Sequence, residues 1–235
     1  MERLRRSATG LILAGGASSR MGQDKALINL DGLPLLRRVY DRADQVCSQV
    51  YVMTPRIESY VRILPPTVQF LQEPLESNPQ GPLRAFQQAL TSLVEAKKIP
   101  QGWLLLLSCD LPFLHSRVLE QWIAQLSLGD KLAMNQPSRS GLDKSLWERH
   151  PLIWVPRNTQ GWWEPLCGFY HQTCLPYLNQ FIDQGGRSFQ TWLNGEFREN
   201  RVGVLSLPDP EMLFNLNTPT QLDRYYAIVN FRHQS

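Results

Sequence analysis

The segment Leu13-Ala14-Gly15-Gly16-Ala17-Ser18-Ser19-Arg20-Met21-Gly22-Gln23-Asp24-Lys25 gathers the residue types that hold phosphate. Gly15 and Gly16 lack a Cβ, so backbone N–H groups there can approach an anion closely. Ser18 and Ser19 add hydroxyl donors, and Arg20 and Lys25 add two positive charges suited to a triphosphate. The pattern is neither GxxxxGK[ST] nor GxGxxG. By glycine pattern alone, a phosphate cradle and a plain tight turn are equally consistent with it.

A second chemical position is Asp110, which closes the apolar run Leu104 to Leu107 and precedes Pro112. A carboxylate at the mouth of a buried strand must be solvated, paired or metal-bound. Magnesium takes one or two carboxylates together with phosphate oxygens, so a lone aspartate at a strand end suits it. A turn or helix-cap role is the alternative. Asn215 and Asn217 flank Leu216 in strand-like alternation, which points both amides to one side. Such a pair suits a ligand phosphate or a metal-bound water, or turn chemistry ahead of Thr218-Pro219. Arg139, Lys144, Arg157 and Arg187 are candidates to meet an anionic substrate, with surface solvation the stronger reading for each. The four histidines show no ligand spacing, and the four cysteines form no CxxC pair, which argues against zinc and a disulfide framework and for buried thiols.

These residues are carried by alternating elements. Gly10 to Ala14, Val50 to Met53, Val68 to Leu71 and Trp103 to Ser108 read as strands, the last a continuous apolar run buried on both faces. Helical spacing of apolar residues covers Pro34 to Gln49, with Pro34 in its first turn, and then Pro82 to Lys97 and Ser116 to Leu126. Strand–helix alternation implies parallel βαβ units and a doubly wound sheet. In such a sheet, ligands bind outside the carboxyl ends of the strands, where the glycine-rich segment lies. The second half is less regular. Lys131 to Met134 reads as a strand and Pro137 to Asn158 mostly as loop. Leu166 to His171 and Arg201 to Leu207 read as strands. Thr173 to Gln184, Ser188 to Leu193 and Gln221 to Asn230 read as helices, the last capped by Thr218-Pro219.

The 235 residues, 43% hydrophobic and 19% charged, are enough for one large domain and exclude general disorder. We expect a single domain over residues 1–235, with flexible tails at 1–8 and 231–235. A net charge of +3 is too mild to predict nucleic-acid binding. No apolar run reaches membrane-span length, and Leu11 to Ala14 is too short for a signal-peptide core, so a cytoplasmic protein with no membrane partner is expected. The seven tryptophans are numerous. Trp154, Trp162 and Trp163 cluster beside Pro156 and Pro165, where they can stack on a flat ligand ring or build a satellite core or dimer contact, the latter favoured.

The segment LAGGASSRMGQDK resembles the signature loop of GT-A-like nucleotidyltransferases, most closely that of the molybdenum cofactor guanylyltransferases. Further matches follow in order over about residues 9 to 226: Gly81-Pro82-Leu83, Cys109-Asp110-Leu111-Pro112, Glu164-Pro165-Leu166-Cys167-Gly168, and Asn215-Leu216-Asn217-Thr218-Pro219. The similar molybdopterin cytidylyltransferases typically carry alanine at the first of the two glycines and Pro-Lys in place of Asp-Lys, so Gly15 and Asp24-Lys25 favour guanine. Two positions depart from the family: Glu73 stands where an aspartate is usual, and Met53 where an asparagine often contacts the nucleotide.

The resemblance implies a single-domain, Rossmann-like α/β three-layer sandwich of GT-A type with a mostly parallel central sheet. It implies transfer of GMP from GTP to molybdopterin, or to its molybdenum-bound form, with Mg²⁺ and release of pyrophosphate. Leu13, Ala14, Gly15, Gly16, Ser18, Lys25, Glu73, Gly81 and Asp110 would bind the nucleotide. Arg20, Lys25 and Asp110 would be catalytic, Asp110 would hold the metal, and Asn215 and Asn217 would meet the pterin. Other molybdenum cofactor biosynthesis or acceptor proteins are the implied macromolecular partners. Cytidylyl transfer, nucleotidyl transfer to a sugar phosphate, and a non-catalytic nucleotide-binding scaffold are the alternatives.

Overall fold

The computed structural model describes residues 8–15, 24–74, 81–100, 102–134 and 150–234. Its centre is the strand pair β1 (Ala8–Leu13) and β6 (Trp103–Ser108), which run parallel with Leu13 opposite Ser108. Between them in the chain come the hairpin strands β2 (Asn29–Leu30) and β3 (Leu33–Pro34), helix α1 (Leu35–Val46) and strand β4 (Gln49–Thr54). The short helix α2 (Ile57–Tyr60), strand β5 (Gln69–Gln72) and helix α3 (Pro82–Glu95) follow. The helix α4 (Ser116–Met134) comes next, then β7 (Ile153–Pro156), β8 (Cys167–His171), α5 (Leu175–Asp183), α6 (Phe189–Arg198), β9 (Val202–Leu205) and α7 (Pro219–Gln234).

Among the described residues, the main sheet has seven strands in the order β5-β4-β1-β6-β8-β7-β9. Only β8 runs against its neighbours, pairing antiparallel with both β6 and β7, so the sheet is mostly parallel as expected. From β1 the chain winds outward to β4 and β5, then returns to the other side of β1 as β6. That reversal opens a crevice at the carboxyl ends of β1 and β6, where α/β sheets take their ligands.

Alternation along the central strands builds two apolar layers. Ile12, Leu105 and Leu107 face a core completed by α1 and α4, through Leu36, Val39, Ala43, Leu119 and Trp122. Leu11, Leu104 and Leu106 face the opposite core, with Leu83, Phe86 and Leu90 of α3, Leu178 of α5, and Phe189 and Trp192 of α6. Both faces of β6 are thus covered, and its six residues are all buried. A third cluster, with Leu30, Leu35, Phe113, Leu216 and Tyr225, seats α7.

Several expectations are corrected. Lys131–Met134 is the end of α4, not a strand; Lys, Leu, Ala and Met are all good helix formers, and four residues show no decisive period. Ile153–Pro156, inside the stretch read as loop, is strand β7. Pro151 and Pro156 signalled a break, but Pro156 is only the last residue of a strand whose Ile153 and Val155 are buried. Helix α6 continues past Leu193 to Arg198, Pro34 caps α1 from outside its first turn, and Phe214 to Asn217 forms no strand. Ala8 is buried in β1, and α7 extends through Gln234.

The tryptophan excess is largely core. Trp103, Trp122, Trp163 and Trp192 are buried, and Trp154 packs partly buried under Gly203. Trp162 stays 57% exposed. All four cysteines are buried free thiols, as expected.

Gly168 shows how tightly β8 is packed. A Cβ there would lie 2.8 Å from the Trp154 carbonyl oxygen and closer still to the Val155 side chain, both on β7. Gly168→Ala is therefore expected to overpack the β7–β8 seam and destabilise the fold by about 1–3 kcal/mol, read as a lowered midpoint in denaturant titration.

Candidate active site

The site is assembled from chain ends that leave the sheet at the crevice. Beyond β1, the Ala14 N–H donates to the Met53 carbonyl at 2.9 Å, and beyond β6 the Cys109 N–H donates to the Leu13 carbonyl at 3.3 Å. The Ser108 N–H donates to the Leu166 carbonyl at 2.8 Å, which brings the segment before β8 to the same floor. Above this floor lies a cleft of about 430 Å³. Leu13, Gly15, Lys25, Glu73, Gly81, Asp110, Asn215 and Asn217 all line it.

Lys25 is delivered by a 3-10 turn, Lys25–Leu27, whose N-cap is Asp24. The Asp24 Oδ1 accepts from the Ala26 N–H at 3.1 Å, and Ala26 is buried, so the turn is pinned at both its cap and its apolar foot. The Lys25 Nζ then donates to Asp110 Oδ2 at 2.8 Å and to Asn217 Oδ1 at 3.0 Å. Asp110 is only 4% exposed; its Oδ1 accepts from the Ser108 hydroxyl, and its own carbonyl accepts from the Leu216 N–H at 3.0 Å. That last bond places the Asn215–Asn217 stretch over the carboxylate.

Burial works against the Lys25 ammonium, but Asp110, joined by Cys109 and Asp24, outweighs it, and the lysine pKa lies above its ordinary value. The ammonium is therefore fully charged at neutral pH. Burial, followed by the neighbouring Asp110, pushes the Cys109 thiol up to about 12, which removes it as a nucleophile near neutrality. Glu164 also lines the cleft, with Oε1 accepting from Asn158 Nδ2 at 2.9 Å. Burial raises its carboxyl pKa; the Asn158 bond opposes this, and the negative charge of Asp110 adds to it.

Glu73 meets the loop directly. A Cβ on Gly15 would overlap the Glu73 carboxylate, so an alanine there would have to displace that side chain. Ala14 is placed differently from the other loop residues. It is buried, does not line the cleft, and its N–H is spent on Met53. Met53 is itself a core residue beside Leu11 and Phe86. Gly16, Ser18 and Arg20 lie outside the described residues, as do Arg139 and Lys144. Arg157 lies over the Trp163 ring at 3.8 Å, and Arg187 is exposed. The Trp163 Nε1 donates to Asn194 Oδ1 at 2.8 Å, so that ring is part of the scaffold.

Sequence reasoning did not assign Ser108, Glu164 or the partners of Asp24. Ser108 carried a usable signal: a hydroxyl two residues before Asp110, ending a run of leucines. Among the described residues there is no group of three or more His, Cys, Asp or Glu side chains placed to hold a metal, and no helix long and apolar enough to cross a membrane.

Solved structures share this architecture. A molybdopterin-guanine dinucleotide biosynthesis protein A from Archaeoglobus fulgidus superposes with a TM-score of 0.64 at 20% identity, covering 94% of this chain and 98% of its own. A nucleotidyl transferase from Methanothermobacter thermautotroptrophicus gives 0.64 at 14% identity, covering 93% and 95%. The fold is that of the α/β nucleotidyltransferases, with the cleft at the sheet's reversal point. Residues 10–197 match the family model of the MobA-like NTP transferase domain, and the chain belongs to that family. A probable molybdenum cofactor guanylyltransferase from Nostoc sp. is 44% identical over 91% of this chain and 88% of its own length. One of the same description from Synechococcus elongatus is 40% identical over 89% and 93%.

Proposed function

We propose that this enzyme transfers GMP from GTP to molybdopterin, or to its molybdenum-bound form, releasing pyrophosphate. The observation that carries the reading is the junction of Lys25, Asp110 and Asn217 on the floor of the cleft. The names of the relatives at 40–44% identity supply the guanylyl specificity. The terminal phosphate of the pterin attacks the α-phosphorus of GTP; the new P–O bond forms as the bond to pyrophosphate breaks. A phosphate nucleophile is already anionic, so the protein's work is positioning and charge neutralisation.

Asp110 fits a magnesium ion. It is a single buried carboxylate open to a cleft that has room for phosphate, and magnesium commonly uses one or two carboxylates plus substrate phosphates. Bound there, the ion would neutralise charge on the triphosphate. Lys25 presents its ammonium to the same phosphates, and Gly15 lines the cleft wall beside them. Arg20 joins them by its place in the loop sequence, as do Gly16 and Ser18. Glu73, packed against Gly15, is the base-side carboxylate, and Asn215 and Asn217 meet the pterin side. One domain over residues 1–235, a cytoplasmic setting, and hand-over of product to cofactor-maturation or acceptor proteins belong to the same reading.

Pyrophosphate release, measured with GTP and with CTP in the presence of molybdopterin and magnesium, tests it. Turnover with GTP at least ~10-fold above CTP is expected, since exchanging one hydrogen-bonding set for another leaves buried groups unpaired. Turnover with CTP alone would overturn the guanylyl assignment.

A further inference from the structure

Tyr60 does not line the cleft, yet it is fully buried and its hydroxyl lies at Ala14 and Asp24, on either side of the glycine-rich segment. The hydroxyl donates to Asp24 Oδ2 at 2.7 Å and lies 3.4 Å from the Ala14 carbonyl oxygen. Ala14 is where the chain leaves β1, and Asp24 is where it enters the turn that carries Lys25. One side chain thus contacts both ends of the glycine-rich segment. A hydroxyl has one proton to give, so the short bond to Asp24 is the strong one and the Ala14 contact the weak one. Arg56 completes the arrangement, with its Nη2 at 3.2 Å from the same Asp24 Oδ2. Asp24 is left with Oδ1 on the Ala26 N–H and Oδ2 on Tyr60 and Arg56, which fixes the direction of the turn.

We propose that Tyr60 is a positioning residue for the transfer reaction: through Asp24 it holds the Lys25 ammonium in register with Asp110 and Asn217. The proposal rests on the guanylyltransferase reading of the site. Its physical basis is preorganisation. A cation already in place needs no reorganisation as charge moves on the triphosphate. Burial, and then Asp24, raise the phenol's pKa, so the hydroxyl remains a donor throughout the range in which the enzyme would work. Arg56 is half exposed and screened by water, so it cannot replace the buried hydroxyl bond.

The test is Tyr60→Phe, which removes one oxygen and leaves the ring. With GTP and molybdopterin, kcat is expected to fall about 10-fold while KM for GTP moves less than about 3-fold, the loss of one hydrogen bond to a charged partner acting on orientation. In a Lys25→Ala background, measured by single turnover at high enzyme concentration, the same change should cost less than about 2-fold, because the group being positioned is gone. Equal losses in both backgrounds would overturn the proposal. Asp24→Asn, which keeps the bond to the Ala26 N–H, should show the same dependence on Lys25 and serves if Tyr60→Phe folds poorly. Amide hydrogen exchange gives a readout independent of substrate: Lys25, Ala26 and Leu27 should exchange about 10-fold faster in Tyr60→Phe, with β1 and β6 unchanged. Unchanged exchange at the turn would overturn the clamp. Faster exchange with a wild-type enzyme that turns over no GTP would leave the clamp standing and sink the reading of the reaction.

Discussion

Asp110→Ala is expected to lower pyrophosphate release with GTP by roughly two to four orders of magnitude, the loss of several kcal/mol of charge stabilisation in the transition state. The size follows from where the carboxylate sits. Asp110 is at the carboxyl end of β6, 4% exposed, with one oxygen on Ser108 and the other on Lys25. Among the described residues no metal-ligating cluster offers a substitute. Fold should survive the change, because β6 is held by its leucines and by pairing on both sides. Steady-state turnover beside a thermal melt checks both halves. A melting point within a few degrees of wild type together with unchanged turnover would remove Asp110 from the mechanism.

Lys25→Met should be costly in a different way. Turnover with GTP should fall by about two to three orders, as for removal of a preorganised donor. Stability should fall too, because the substitution leaves the Asp110 carboxylate buried without its cation. Breaking a fully buried pair costs about 3–5 kcal/mol; the Lys25 side chain keeps 19% of its exposure and the cleft admits water, so about 2 kcal/mol is expected here. For a chain of this size that lowers Tm by roughly 4–8 °C. Adding Asp110→Ala to Lys25→Met should restore most of the lost stability while leaving turnover abolished, since the stranded charge goes with its carboxylate. The lysine pKa is raised in the folded state, so the pair's contribution is complete below pH ~10.4 and is lost as pH rises through the folded value. Melts between pH 6 and 9 should therefore show the same difference between wild type and Lys25→Met, apart from effects of other groups. A Lys25→Met protein as stable as wild type would mean that water already satisfies Asp110.

The site was legible where its signals are local. The glycine-rich segment, the aspartate at the mouth of a leucine strand and the paired asparagines each announced themselves by residue type and neighbours, and the cleft brings Gly15, Lys25, Asp110, Asn215 and Asn217 together. What could not be read was the partner of each charge. The loop pattern points Lys25 at phosphate, and the fold shows it also held by Asp110 and Asn217, which are 85 and 192 residues away. In the sequence Asp24 is only part of the loop pattern, and its bonds to Tyr60 and Arg56 cross a whole βα unit. Glu164 carries no local signal of a role, because its burial depends on how the segment before β8 meets β6.

By itself the sequence determined the class of fold: alternating strands and helices, a central strand apolar on both faces, and a phosphate-type loop at a strand end. Those follow from periodicity and turn chemistry, which act over a few residues. Only the tertiary structure decided that β8 runs against the sheet, that Ile153–Pro156 is a strand at all, and that six of the seven tryptophans divide into four buried, one partly buried and one exposed. It also decided which cation answers which carboxylate. Strand direction, burial and charge pairing depend on what packs alongside, and in this chain the deciding neighbours lie tens to hundreds of residues away.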